Sequence, residues 1–173
     1  VLVADAADPQ ALNQSALSLF TEALNELKNG REREGSELAK LLNERLNSIL
    51  EQVVALRELV PQILAGQRQK ILDRCAEMQA ELDPQRLEQE LVILAQKSDV
   101  AEELDRLSTH VSEVRRILKK GGHIGRRLDF LMQELNREAN TLASKSVDSE
   151  TTAAAVELKV LIEQMREQIQ NIE

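Results

Sequence analysis

The sequence predicts an all-α protein: a long antiparallel helical hairpin with heptad seams, followed by a compact C-terminal helical portion. Three observations carry that prediction. Leu, Ala, Glu, Gln and Arg dominate the 173 residues, which is the composition of helix bundles and coiled coils. Three prolines and six glycines are too few for an all-β chain with many turns. Apolar residues also recur at helical spacing. Leu42, Leu46, Ile49, Val53, Leu56, Val60 and Ile63 follow one another in steps of four and three, which is a heptad seam. With two Phe and neither Trp nor Tyr, the core must be aliphatic. The chain is long enough for one domain with a real core.

Composition also excludes. Cys75 is the single cysteine, so no intrachain disulfide forms. There is no signal-peptide pattern and no apolar run near the ~18 residues of a membrane helix. A cytoplasmic protein with no membrane partner is therefore expected. The net charge of −8 argues against non-specific nucleic-acid binding by the whole chain, though not against a local basic patch.

Taken in order, residues 1–9 read as a tail or linker and residues 10–173 as the helical domain. Asp8-Pro9 is a helix start, with Pro tolerated in the first turn. Leu12, Leu17, Phe20, Leu24 and Leu27 carry a helix to about Asn29-Gly30. The following RERE continues it or begins another. The first seam then runs from Glu37, with Pro61 kinking it unless a boundary falls there. Leu64, Ile71, Cys75, Met78 and Leu82 resume the helix, and Asp83-Pro84 breaks it. Leu87, Leu91 and Leu94 line the next helix. Val100, Leu104, Leu107, Val111, Val114 and Leu118 form a second seam about one residue out of phase, so a bend or stammer is expected near Lys97 to Asp99. Gly121-Gly122 ends that helix. A last helix, capped by Asp148 or Ser149, is seamed by Leu158, Ile162, Met165, Ile169 and Ile172. Long seams need partners, so self-association is expected.

The stretch Gly125 to Ser146, GRRLDFLMQELNREANTLASKS, organises the rest. On a helix at about 100° per residue, Leu128, Leu131, Met132, Leu135, Ala139 and Leu142 form the core face. Arg127, Glu134, Glu138 and Lys145 share one polar line, and Asp129, Gln133, Asn136, Asn140 and Ser144 a second. Asp, Asn and Thr on these polar lines are poor choices for helix propensity alone.

This stretch, with RLEQELVILAQKSDVAEELDRLSTHV before it and VELKVLIEQMREQIQNIE after it, resembles the C-terminal signature of the YicC family of bacterial endoribonucleases. The three segments cover nearly all of Arg86 to Glu173 and match in order and spacing. The resemblance implies a helical C-terminal domain, RNA as partner and substrate, endoribonuclease activity and a homo-oligomer, with a hexamer suggested. Proteins of that family also carry an N-terminal α/β domain, so the resemblance implies that this sequence is the C-terminal part of a longer protein.

Three constellations carry the possible chemistry. Asp99, Glu103, Arg106 and His110, at steps of four, three and four, share a helix face with Glu102 beside it. Carboxylates and a His suit Mg²⁺ or Mn²⁺, which activates water for phosphodiester hydrolysis. The plainer reading pairs Glu103 with Arg106 at i,i+3. The second constellation is Asp129, Glu134 and Glu138. Glu134 and Glu138 are spaced to share a cation, while Arg137 between them equally suits a carboxylate of a neighbouring helix. The third is RRILKKGGHIGRR, from Arg115 to Arg127, with no acid and two central glycines. Cations at a helix C-terminus are ordinary. Arg126 and Arg127 at a helix start are not, and they point to an anionic ligand.

The candidate catalytic set is therefore Glu134, Glu138, Asp129, Glu103 and His110. The candidate metal ligands are Glu134, Glu138, Glu103 and Asp99. The candidate RNA contacts are Arg126, Arg127, Arg137, Lys145, Arg106, Lys119 and Lys120. Phe130 stacks on a base or packs against another helix or subunit. There is no paired-Cys zinc pattern, no GxxxxGK[ST] loop and no GxSxG elbow. The function expected is a metal-dependent endoribonuclease. The alternative is a non-catalytic helical module for oligomerisation or RNA docking, which composition and heptads alone favour.

Overall fold

The computed structural model describes residues 8–77 and 84–170. It contains five helices: α1 Pro9–Glu77, α2 Pro84–Lys97, α3 Ala101–Lys120, α4 Gly125–Lys145 and α5 Ser149–Ile169. No strand occurs among the described residues, so the fold is all-α. The chain divides into two units, Val1–Lys40 and Leu41–Glu173.

Asp8 starts α1 as expected. Its Oδ1 accepts the Gln10 amide at 3.1 Å, which satisfies one of the open donors of the first turn. The helix does not end at Asn29-Gly30; α1 runs on to Glu77. In the first unit the apolar residues that carry this helix, Leu12, Leu17, Phe20, Leu24 and Leu27, are all exposed.

The second unit holds the core. Leu42, Leu46, Ile49, Val53 and Leu56 of α1 are buried, while Val60 and Ile63 are half-buried. Polar contacts fix the direction of each neighbour. Asn47 accepts from Arg115, and Arg57 meets Asp105 at 2.5 Å, so α1 and α3 run antiparallel. Glu113 meets Arg127, Arg106 meets Glu138, and Glu103 meets Lys145. Numbers that fall along α3 rise along α4, so this pair is antiparallel too. The short Ser146–Asp148 connection returns α5 against α4, with Asp129 of α4 3.6 Å from Arg166. Arg45 donates to Gln164 at 3.1 Å, and Gln52, Ala55 and Leu59 line one hollow with Glu150, Ala153 and Glu157. Hence α5 is antiparallel to α1 and closes the ring. The second unit is an up-down-up-down bundle of α1, α3, α4 and α5, with α2 in the long connection between the first two.

Three junctions place the site. Helix α2 ends at Lys97 and α3 begins at Ala101, so the phase slip is resolved by a full break. Asp99 Oδ1 accepts the Ala101 amide at 3.1 Å there. Ile117 is buried in the second seam, and Leu118 only half-buried. Gly121 and Gly122 end α3 at φ +67° and +84°, the left-handed region that glycine enters without steric cost. Asp148 caps α5, accepting the Glu150 amide at 2.8 Å. All six core positions assigned to α4 are buried, as are Leu158, Ile162, Met165 and Ile169 on α5. Met78, Leu82, Ile172 and Val1–Ala7 lie outside the described residues.

Candidate nucleic-acid interface

The α3–α4 antiparallel pair carries nearly every candidate side chain. At its closed end the Gly121-Gly122 turn is flanked by Lys119, Lys120, His123 and Arg126, all exposed. Arg127 is not open in the same way. Its Nη2 donates to Glu113 Oε1 at 2.8 Å, and Arg116 meets the same carboxylate through Nε and Nη2, each at 2.7 Å. Those contacts hold the Glu113 carboxyl down at about 2, the Arg116 hydrogen bond being the largest cause and the charges of Arg116 and Arg127 adding to it. The cation at the α4 start thus has an intrachain counter-charge.

Midway along the pair, Glu138 is buried with its side chain 5% exposed. It was placed on a polar line; instead it points into the α3 side, where Arg106 Nη1 approaches Oε1 at 3.5 Å. Arg106 also meets Glu102 at 2.5 Å. Glu102 first and Glu138 second push the Arg106 guanidinium further above its ordinary value. The expected Glu103–Arg106 pair is therefore replaced by Glu102–Arg106 at i,i+4, a register that also favours attraction. Glu134 is half-buried and meets Arg137 at 3.2 Å. Asp129 Oδ2 accepts from Gln133 at 2.8 Å.

At the open end, Glu103 is buried, its side chain 8% exposed. Its Oε1 accepts from Lys145 Nζ at 2.9 Å, and the same ammonium donates to the Asp99 carbonyl at 2.8 Å. Glu103 Oε2 is buried without a hydrogen-bond partner. The face expected to join Asp99, Glu103, Arg106 and His110 does not form. Asp99 precedes the helix, Glu103 is buried, Arg106 is exposed and His110 is half-buried. Among the described residues no three His, Cys, Asp or Glu side chains are grouped to hold a metal ion. Glu134, Glu138, Glu103 and Asp99 are thus not gathered into one group of three or more within the described chain.

The family model described as "Endoribonuclease YicC-like, C-terminal" matches residues 56–173. The chain belongs to the YicC-like family. The match begins ahead of Arg86, where the resemblance read from the residues began. All 173 residues align, at 54% identity, with 60% of a Haemophilus influenzae protein named "Probable endoribonuclease YicC". A Clostridioides difficile protein of the same name is 37% identical over 155 residues, 88% of this chain and 53% of that protein. The chain thus spans just over half the length of these relatives.

Residues missed by the sequence reading of this YicC-like chain are Glu113, Asp105 and Arg57. The Glu113–Arg116 pair was visible at i,i+3. Glu113–Arg127 becomes visible only when the chain is folded back at Gly121-Gly122, which sets the two nearly level on neighbouring helices.

Proposed function

We propose that this chain is the helical part of an endoribonuclease that hydrolyses phosphodiester bonds in RNA, acting as a homo-oligomer with a divalent cation. The 54% identity of all 173 residues to 60% of a protein named a probable endoribonuclease is the observation that carries this reading. The basic turn supports it: exposed Lys119, Lys120 and Arg126 surround a left-handed Gly pair, an arrangement suited to backbone phosphates. Arg127, Arg137, Arg106 and Lys145 are proposed as further contacts only where they can leave the acids that hold them. Exposed Leu17, Phe20, Leu24 and Leu27 at steps of three, four and three on α1 support self-association, since a long apolar stripe left in water is a contact surface.

Incubating a structured RNA with the protein, with and without Mn²⁺, is the test. Cleavage lost on chelation and in Glu134→Gln sustains the nuclease. Binding without cleavage favours the second reading, a docking and oligomerisation module. The observation favouring that alternative is the engagement of Glu103, Glu134 and Glu138 in ion pairs.

A further inference from the structure

Glu113 stands where the residue pattern called for an outside anion. Oε2 accepts from Arg116 Nε and Oε1 from Arg116 Nη2, both at 2.7 Å, and Oε1 also takes Arg127 Nη2 at 2.8 Å. One carboxylate therefore bridges guanidiniums from two helices. The Arg116 contact is the two-pronged fork that arginine offers to carboxylate and phosphate alike. The Arg116 and Arg127 side chains are 59% and 56% exposed, and Glu113 only 28%. A polyanion can thus reach both cations from solvent. The low carboxyl value, about 2, says the local field favours an anion at this spot.

We propose that Glu113 is an intramolecular stand-in for phosphate, occupying the seat between Arg116 and Arg127 and giving way when an RNA phosphodiester enters. This rests on the RNA-binding reading above. Exposed ion pairs are weak in water, so little opposes the exchange. In the RNA-free state the carboxylate also offsets the Arg127 charge at the α4 start, where the helix dipole disfavours a cation. Glu113 therefore sets a threshold: a lone phosphate meets a filled seat, while a backbone already held by Lys119, Lys120 and Arg126 can displace the occupant.

The test is a salt titration of labelled RNA binding to the parental chain, Glu113→Gln, Glu113→Ala, Glu113→Gln with Arg127→Ala, and Glu157→Gln. The last makes the same charge change on α5. Inorganic polyphosphate serves as a second ligand, and thermal unfolding checks that each variant is folded. Both Glu113 variants are expected to bind RNA about threefold to fivefold tighter, the size of one exposed ion pair. Their salt slope should steepen by about one. The gain should vanish when Arg127→Ala is added. If Glu113→Gln binds no tighter than Glu157→Gln, or binds more weakly, the stand-in is overturned. If no variant binds RNA but polyphosphate shows the Arg127-dependent gain, the seat stands and the RNA reading falls. If neither ligand shows the gain, the seat falls.

Discussion

Two stretches of α1 look alike as sequence and live differently. Leu17, Phe20, Leu24 and Leu27 step by three, four and three; Leu42, Leu46, Ile49, Val53 and Leu56 step by four and three. The second set is buried in the bundle, with exposures of 2% or less. The first set is between 53% and 67% exposed. Spacing alone cannot tell them apart, because it reports which face of a helix is apolar and not what covers that face. The difference comes from later residues. Asn47 and Arg57 find Arg115 and Asp105 on α3, and Arg45 finds Gln164 on α5. Burial is a property of the partner as much as of the seam.

The largest effect should come from the covered stretch. Leu46→Ala empties a fully buried position and should cost about 2–5 kcal/mol, transfer loss plus cavity. Urea unfolding monitored by helical circular dichroism reads it directly. A cost below about 1 kcal/mol would mean that the seam is not packed as described. Next is Lys145→Met, which keeps the aliphatic stem but strips Glu103 of its ammonium. Glu103 Oε2 is already without a partner, so the whole carboxylate would be stranded. The expected loss is about 1–3 kcal/mol, and Glu103→Gln in the same background should recover part of it.

How far these features were legible from residues alone follows the same division. The α4 core face was readable to the residue, because a short turn on each side forces neighbours onto it. Caps at Asp8 and Asp148 and the Gly121-Gly122 stop were also readable, since local backbone chemistry determines them. The charged residues were not. Glu138 looked like one of a solvated line because four-residue spacing does not reveal that Arg106 of α3 lies opposite. Glu103 looked available to a metal because Lys145, distant in sequence, was not known to reach it. The RNA reading came from resemblance and identity, and the geometry alone would have stopped at a bundle with one basic end.

A smaller effect is expected at the α3–α4 turn. Gly121→Ala meets no atom within 4 Å, so its cost is purely backbone, about 1–3 kcal/mol for a residue held at positive φ and extended ψ, a region that only glycine enters freely. Thermal melts of Gly121→Ala beside Ala101→Gly would separate turn strain from helix propensity. Glu113 adds a pH-dependent contribution. Its folded value is lowered from 4.5 to about 2, so its stabilisation is complete above 4.5 and fades as pH falls through 2. Both arginines stay charged throughout. The stability difference between the parental chain and Glu113→Gln should therefore be largest above pH 5 and should shrink on acidification toward pH 2. A difference that stays constant from pH 6 to pH 2.5 would place the effect elsewhere.

The smallest effect on the stability of the chain itself should come from the uncovered stretch, and it sharpens the contrast most. Leu24→Ala removes a side chain that is 53% exposed. Unfolding measured at a concentration where the chain is monomeric should shift by no more than about 0.5 kcal/mol, against several for Leu46→Ala. If the stripe is where copies meet, the same substitution should act at high concentration instead. Sedimentation equilibrium would then show weakened association for Leu24→Ala and a stronger loss for Phe20→Glu, which sets a charge in the middle of the stripe. Both variants should keep the parental helical signal. The Leu46→Ala chain gives the converse control, losing stability at every concentration. Association unchanged in Phe20→Glu would remove the stripe as a contact between copies. A Leu24→Ala cost rivalling that of Leu46→Ala under monomeric conditions would show that α1 buries its first stretch as well as its second, and the distinction between the two would be lost.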